Sequence, residues 1–357
     1  MNRLKLAVVG AGALGRHHVR ILSGFEDVEL LAVAESRADA GQAIAAQFGC
    51  RWVADYRELT GCVDAAVIAV PTFAHEEVAA DFLECGVSLL VEKPLAPSAA
   101  GARRLVELAE SNHCLLQVGH VERFNPALQA ARPLIVAPKY IRAERISPYA
   151  FRSTDIGVVH DMMIHDLDLV LAIADSRVLH VEAFGVCVMG GHEDCVQARL
   201  RFANGCIADL AANRVSPVSR RTMQVWSAGG CIGIDFSTRE VVHYSPGPAL
   251  LYGTPPVERA RQPGADIDQL KAEVFGTMLK VDRPVAPAGD ALTDELRSFV
   301  DCVACQRPPL VSGRVALAVL TVADDILAAV QNHLWDGNAL GPRGPELYQP
   351  ERRKLAG

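Results

Sequence analysis

The run LKLAVVGAGALGRHHVRIL, residues 4–22, constrains the fold more than any other part of the chain. An apolar strand reaches G-x-G-x-x-G at Gly10, Gly12 and Gly15, and a helical pattern begins at once. That spacing has a use where a strand feeds a helix across the edge of a sheet. The first glycine makes the turn, the second lets backbone approach a phosphate, and the third lets helix and strand pack closely. The run therefore predicts the opening of a parallel sheet.

The same alternation continues through VELLAVAES, RADAGQAIAAQFG, DAAVIAVPT, EEVAADFLECG, SLLVEKPL, AAGARRLVELAESN and CLLQVGH. Near-continuous apolar strands separated by helices mean a parallel sheet covered on both faces. Beyond Asp175 the texture changes: VLHVEAFGVCVM, DCVQARLRFANGCIADLAANRV, RRTMQVWSAGGCIGIDF and REVVHYS read as consecutive strands, with Asn204-Gly205 as a hairpin turn. Ser245 to Gly264 reads as a loop, TDELRSFVDCVAC and GRVALAVLTVADDILAAVQNHL as helices, and the chain from Asp336 has no periodicity. The expected fold class is α/β. A Rossmann doubly wound parallel sheet spans 1–121, an α+β domain with a large, mostly antiparallel open sheet spans 122–335, and a tail spans 336–357.

Glu35 ends the second strand at the distance from the glycine turn where a carboxylate accepts the ribose hydroxyls of a dinucleotide. A carboxylate there would repel a 2′-phosphate, so NAD is expected over NADP. Arg37 is placed either to pair such a phosphate or to stack on adenine. Ala13 and Leu14, inside the turn, join the expected cofactor contacts, and Pro71 and Thr72 follow a later strand at the same sheet edge.

Composition narrows the partners. With 22% charged residues and a net charge of −7, the chain has no basic surface for nucleic acid or an anionic membrane. No run approaches the roughly 18 apolar residues of a membrane helix. Ten cysteines sit largely in apolar segments, as expected for reduced thiols in the cytoplasm. Cys302 and Cys305 form a lone C-x-x-C without the second pair that a zinc site needs, so no metal is expected.

GVVHDMMIHDLDLVL, residues 157–171, sets ionisable groups among apolar ones. In a regular helix Asp161, His165 and Asp168 share one face, while His160 points elsewhere. Such a stripe is a solvated helix face, a metal site, or a general base with its partners. Spacing alone leaves the three open.

GAGALG, PTFAH with Pro71 and His75, EKP at Glu92, Lys93 and Pro94, GHVERFNP with Arg123 and Pro126, and DMMIH occur in the order found in the glucose-fructose oxidoreductase and inositol dehydrogenase family, which the chain resembles over nearly its whole length. The resemblance implies that Lys93 and His165 flank the reacting carbon as catalytic residues. A secondary alcohol losing hydride needs a base for its hydroxyl proton, and histidine titrates in the right range. Lys93 can hydrogen-bond the same oxygen, and Asp161 can hold a sugar hydroxyl or orient the imidazole. His75 and Glu92 are expected to support the cofactor. His120 and Glu122 are expected to touch substrate, and Arg123 to be a buried ion-pair partner.

Within the family, HVERFNPA, GVVHDMMIHDLDLVL and AANRVSPVSRRTMQVWSAGGCIGIDF look like the branch that oxidises the 3-hydroxyl of UDP-N-acetylglucosamine to a 3-keto sugar. An aminotransferase would then make the 3-amino sugar for lipid A. A nucleotide sugar needs cations for its diphosphate, and Arg152, Arg214, Arg220 and Arg221 are candidates. An inositol or free-sugar dehydrogenase, an NADP-linked reductase, and a non-catalytic NAD sensor are the alternatives. The intact Lys93 and His165 argue against the sensor. The open sheet predicts a homo-oligomer, dimer or tetramer.

Overall fold

The computed structural model describes residues 3–151 and 154–347. The chain forms two compact units, one of Met1–Phe124 with Gly289–Asp325, the other of Asn125–Ala288 with Ile326–Gly357.

In the first unit β1 (Leu4–Val9), α1 (Gly15–Leu22), β2 (Val28–Ala34), α2 (Ala38–Phe48), β3 (Arg51–Val53), β4 (Ala65–Ile68), α3 (His75–Glu84), β5 (Ser88–Glu92), α4 (Ala99–Ser111) and β6 (Leu116–Gly119) follow in turn. The six strands are parallel in the order β3-β2-β1-β4-β5-β6. This is the Rossmann order, which reverses between β1 and β4 and leaves a crevice at the carboxyl ends of those strands. Every residue of β4 and β5 is buried, as strands covered on both faces must be.

The helix Ala291–Cys305 corrects the expected division, which gave 122–335 to one domain. Its Leu296, Phe299, Val300 and Val303 join Leu6, Val8, Val19, Leu22 and Leu90 in one core, and Arg297 donates to both carboxylate oxygens of Asp27 at 2.9 and 2.8 Å. The apolar stripe of that helix says only that it needs a cover, not which sheet supplies one.

The second unit is built on a nine-stranded sheet. Its strands are β7 (Tyr140–Ile146), β8 (Val178–Cys187), β9 (Cys195–Phe202), β10 (Ile207–Asn213), β11 (Arg220–Ser227), β12 (Gly230–Asp235), β13 (Glu240–Pro246), β14 (Leu279–Asp282) and β15 (Glu346–Leu347). The order is β14-β13-β12-β11-β7-β10-β9-β8-β15. Pairing is antiparallel except where β10 meets β7 and β15 meets β8. Strict alternation of buried and accessible residues in β9 and β10 marks one face as core and one as open. Asn204-Gly205 turns the chain between them, with Gly205 at φ +82°. Helices α5 (Pro126–Ala131) and α6 (Ile164–Ala174) belong to this unit.

Three features depart from expectation. The central strand β7 was not marked in the sequence, although YIRAERI alternates with a period of two. The expected loop at 245–264 contains helices Pro248–Tyr252 and Pro256–Arg261, each opened by a proline whose missing N–H costs a first turn nothing. The tail is folded at least in part, since the Trp335 indole N–H donates to the Gly344 carbonyl at 2.9 Å and β15 extends the sheet edge. Among the described residues no helix is long and apolar enough to cross a membrane.

Candidate active site

The glycine turn in the first unit has two residues fixed by the fold and one left open. Gly10 sits at φ +93°, and a Cβ there would press on the Ala69 carbonyl at 2.6 Å. A Cβ on Gly15 would overlap the Gly10 carbonyl oxygen. At Gly12 a Cβ would meet nothing within 4 Å. That open side is where a pyrophosphate can approach backbone at the start of α1. Leu14, 41% exposed, projects from the same turn beside Ala13.

The Glu35 carboxylate closes this turn from below. Oε2 accepts the Ala11 N–H at 2.9 Å, and Oε1 accepts the Arg37 backbone N–H at 3.1 Å and Nε–H at 3.2 Å. Burial alone would raise its pKa, but the Arg37 guanidinium and the N–H groups of Ala11 and Arg37 hold it below the usual carboxylate value. It is therefore an anion ready to accept ribose hydroxyls. Arg37 is itself largely exposed, so its ion pair is weak and it can turn toward a ligand. Beyond Arg37 a cavity of about 480 Å³ opens between α1 and α2, with Arg16, His17 and Arg20 at its rim and Ile44 and Phe48 inside. The sequence reading passed over Arg16 and Arg20, although their i, i+4 spacing on α1 puts two cations on one face. We expect Glu35→Ala to weaken NAD binding at least about tenfold, the scale of losing charge-assisted hydrogen bonds. Unchanged affinity in a calorimetric titration would mean the ribose is held elsewhere.

Pro71 and Thr72 follow β4 at this sheet edge, in a short 3-10 turn that also sets Phe73, 76% exposed, into solvent. Phe73 was not singled out from sequence. His75 is buried. Its Nδ1 lies 2.7 Å from the Pro94 carbonyl and its Nε2 2.9 Å from that of Val70. The support expected of His75 takes the form of bonds to two loops, and burial lowers its pKa and favours the neutral ring. Glu92, the last residue of β5, is also buried, with Oε1 2.7 Å from Nε2 of a fully buried His18. Its other oxygen accepts the Lys93 backbone N–H at 3.3 Å. Lys93 follows at the carboxyl end of β5, half-buried. His120 and Glu122, expected at the substrate, are 1% and 7% exposed.

In the second unit the D-x-x-x-H stretch begins as a π-turn, Val159–Met163, before α6. The i→i+5 bonding of such a turn brings residues five apart onto one side, and π-turns recur at functional sites. His160, Asp161, Met162 and His165 are all half-buried. So His160 shares the accessible strip from which a regular helix would exclude it. Asp168 leaves that strip and is fully buried. Asp166 is buried too, held by the Nε–H and Nη2–H of Arg145 at 3.1 and 2.9 Å.

Arg214 corrects another expectation. It is 5% exposed, donating through Nε to Asp194 at 2.7 Å and through Nη1 to the Ile156 carbonyl at 2.8 Å. Its charge is spent beneath the π-turn, whose start is also held by Glu193, accepting the N–H groups of Val158 on its carbonyl and Val159 on its carboxylate. Arg220 pairs with Glu144 on the open face. Arg221 is exposed and lies opposite Arg145 in the β11–β7 register, on the same sheet face. Arg152 lies outside the described residues. Among the described residues no cluster of three metal ligands occurs, and all ten cysteines are free thiols.

Residues 4–120 match the oxidoreductase family with an NAD-binding Rossmann fold, and residues 138–232 match the GFO/IDH/MocA C-terminal domain. The chain belongs to the Gfo/Idh/MocA oxidoreductase family. Its first unit is an NAD-binding Rossmann domain, and its glycine turn and Glu35 fit that cofactor. Among members of the Gfo/Idh/MocA family, the UDP-N-acetylglucosamine 3-dehydrogenase of Acidithiobacillus ferrooxidans is 31% identical over 94% of this chain and 99% of its own length. A solved structure of that enzyme superposes with a TM-score of 0.81, covering 92% of this chain and 98% of that one. The inositol 2-dehydrogenase of Rhizobium meliloti is 27% identical over 59% of this chain and 69% of its own. A levoglucosan dehydrogenase solved with NADH and levoglucosan, 17% identical with a TM-score of 0.76 over 92% of this chain and 97% of that one, shares the fold.

Proposed function

We propose that this oxidoreductase oxidises the 3-hydroxyl of UDP-N-acetylglucosamine to the 3-keto sugar with NAD. The observation that carries the reading is coverage. The likeness to the nucleotide-sugar dehydrogenase runs through both units, 94% of the chain, whereas that to the inositol dehydrogenase stops at 59%. In sequence, the likeness to the nucleotide-sugar enzyme is therefore the more extensive of the two.

In this reading His165 takes the proton of the 3-hydroxyl, a task suited to an imidazole side chain. Lys93 donates a hydrogen bond to that oxygen as negative charge develops on it. Asp161, one turn before His165, holds a neighbouring sugar hydroxyl. His160, half-buried on the same strip, is within the set that contacts substrate. Bound NAD would supply the hydride acceptor. Arg221 replaces Arg214 as the cation for the diphosphate, because it is exposed while Arg214 is committed to Asp194. The 3-keto product is the substrate of an aminotransferase, which would give a 3-amino sugar for lipid A. We place the enzyme in the cytoplasm as a homo-oligomer.

The test is NADH absorbance with purified protein, NAD and UDP-N-acetylglucosamine, the keto sugar being drained by a coupled aminotransferase and glutamate. NADH formation that requires the UDP-sugar is expected. Turnover only with inositol or a free sugar would discard the nucleotide-sugar assignment and keep the family.

A further inference from the structure

Lys93 lies between two residues that are each held by a buried histidine. On one side, His18 Nε2 meets Glu92 Oε1 at 2.7 Å. An ionised carboxylate only accepts, so the ring donates from Nε2. Glu92 Oε2 accepts the Lys93 backbone N–H at 3.3 Å, and β6 closes over it: a Cβ on Gly119 would sit 2.8 Å from Oε2. On the other side, His75 Nδ1 meets the Pro94 carbonyl at 2.7 Å. The two rings come from different elements, His18 from the first turns of α1 and His75 from the first residue of α3.

Burial of the His18–Glu92 pair is weak evidence for a stabilising role. The other side chains that α1 buries are Val19, Ile21 and Leu22. His18 is fully buried, and its Nδ1 has no hydrogen-bond partner among the described residues. A buried polar pair of this kind is commonly matched or bettered by packed apolar side chains. What the pair provides, and an apolar pair would not, is a fixed direction for the segment 92–94 relative to the helix that opens at the glycine turn.

We propose that His18 and His75 are positioning residues for Lys93, fixing the peptide on either side of it so that its ammonium is aimed before substrate arrives. This rests on the reading of Lys93 as the group that meets the reacting oxygen. His18 acts through Glu92, and His75 acts through the Pro94 carbonyl. His18 also ties the aim of Lys93 to the helix whose N-terminus would face the cofactor phosphates.

A double-mutant cycle tests the proposal, with kcat and the Kd for NAD measured for the wild type, His18→Ala, Lys93→Ala and the double variant. His18→Ala is expected to lower kcat at least about tenfold, since misplacement of a catalytic group by about 1 Å can cost about a hundredfold, while NAD affinity stays within about twofold. His18→Gln, which retains a donor for Glu92, should recover most of the loss. His75→Ala should show the same split between kcat and NAD affinity. On the Lys93→Ala background the His18 substitution should add nothing, because it acts only through Lys93. Equal losses on both backgrounds, or a loss of NAD affinity and melting temperature that glutamine does not restore, would overturn the proposal. Near wild-type turnover in Lys93→Ala would remove Lys93 from the chemistry, and the proposal with it.

A substrate-free measurement separates failure of the clamp from failure of the sugar assignment. Acylation of Lys93 by an amine-reactive reagent, followed by peptide mass spectrometry, should change at least about threefold in His18→Ala, within the effect expected for a displaced group. Labelling of exposed Lys139 should stay constant. An unchanged Lys93 rate would overturn the clamp whatever the substrate is.

Discussion

Lys93→Ala is expected to lower kcat about a thousandfold, with NAD affinity and melting temperature unchanged. General acid-base groups supply about 10²- to 10⁴-fold and a preorganised donor to a developing oxyanion about 10²- to 10³-fold. A thousandfold corresponds to about 4 kcal/mol of transition-state stabilisation. The side chain is half-buried at the carboxyl end of β5, so its removal opens no large core cavity. Steady-state kinetics together with an NAD titration make the check. A fall in NAD affinity with preserved kcat would make Lys93 a cofactor ligand and leave the reacting oxygen to His165 alone.

The second large effect lies under the other catalytic candidate. Asp166→Ala is expected to destabilise the second unit by about 3–5 kcal/mol, the cost of leaving one member of a buried ion pair without its partner. Arg145 and Asp166 are 4% and 2% exposed and bonded twice, so neither charge can be rescued by water. Replacing both, Arg145→Met with Asp166→Leu, should recover most of the loss, because it removes both desolvation penalties together. Urea unfolding followed by far-UV circular dichroism measures this. A loss under about 1 kcal/mol in the single variant would mean that the strand and α6 rearrange to solvate Arg145. Asp166 adjoins His165, so the single variant should also lose turnover while the rescued double variant regains part of it.

Local pattern made the first unit legible. Five of its six strands are apolar runs joined through helices, so the alternation itself dictates a parallel sheet, and Glu35 follows from its distance to the glycine turn; the three-residue edge strand β3, opened by exposed Arg51, is too short to show a pattern. The unread features depend on contacts that a single sequence does not encode. The partner of helix Ala291–Cys305 is one. Arg214 is another: spacing cannot distinguish a cation offered to a phosphate from one consumed by Asp194. The π-turn at Val159–Met163 is hard to read because a one-residue widening of a helix leaves the apolar periodicity nearly intact, yet it leaves His160 as accessible as His165, and the full burial of Asp168 in α6 comes from packing that spacing does not encode. Strand β7 alternates, but its buried side carries Arg145 among Ile141 and Ala143, which blurs the apolar signal.

The return of residues 289–325 to the first unit sets a timetable for the chain. Leu6, Val8, Val19 and Leu22 find part of their cover in Leu296, Phe299, Val300 and Val303. During synthesis the nucleotide-binding sheet emerges first, but the helix that seals one of its faces is made only after all of 125–288. Until then an apolar face stays open to water, a state prone to aggregation in a chain that folds domain by domain. The cofactor-binding half is therefore the first to begin folding and among the last to finish.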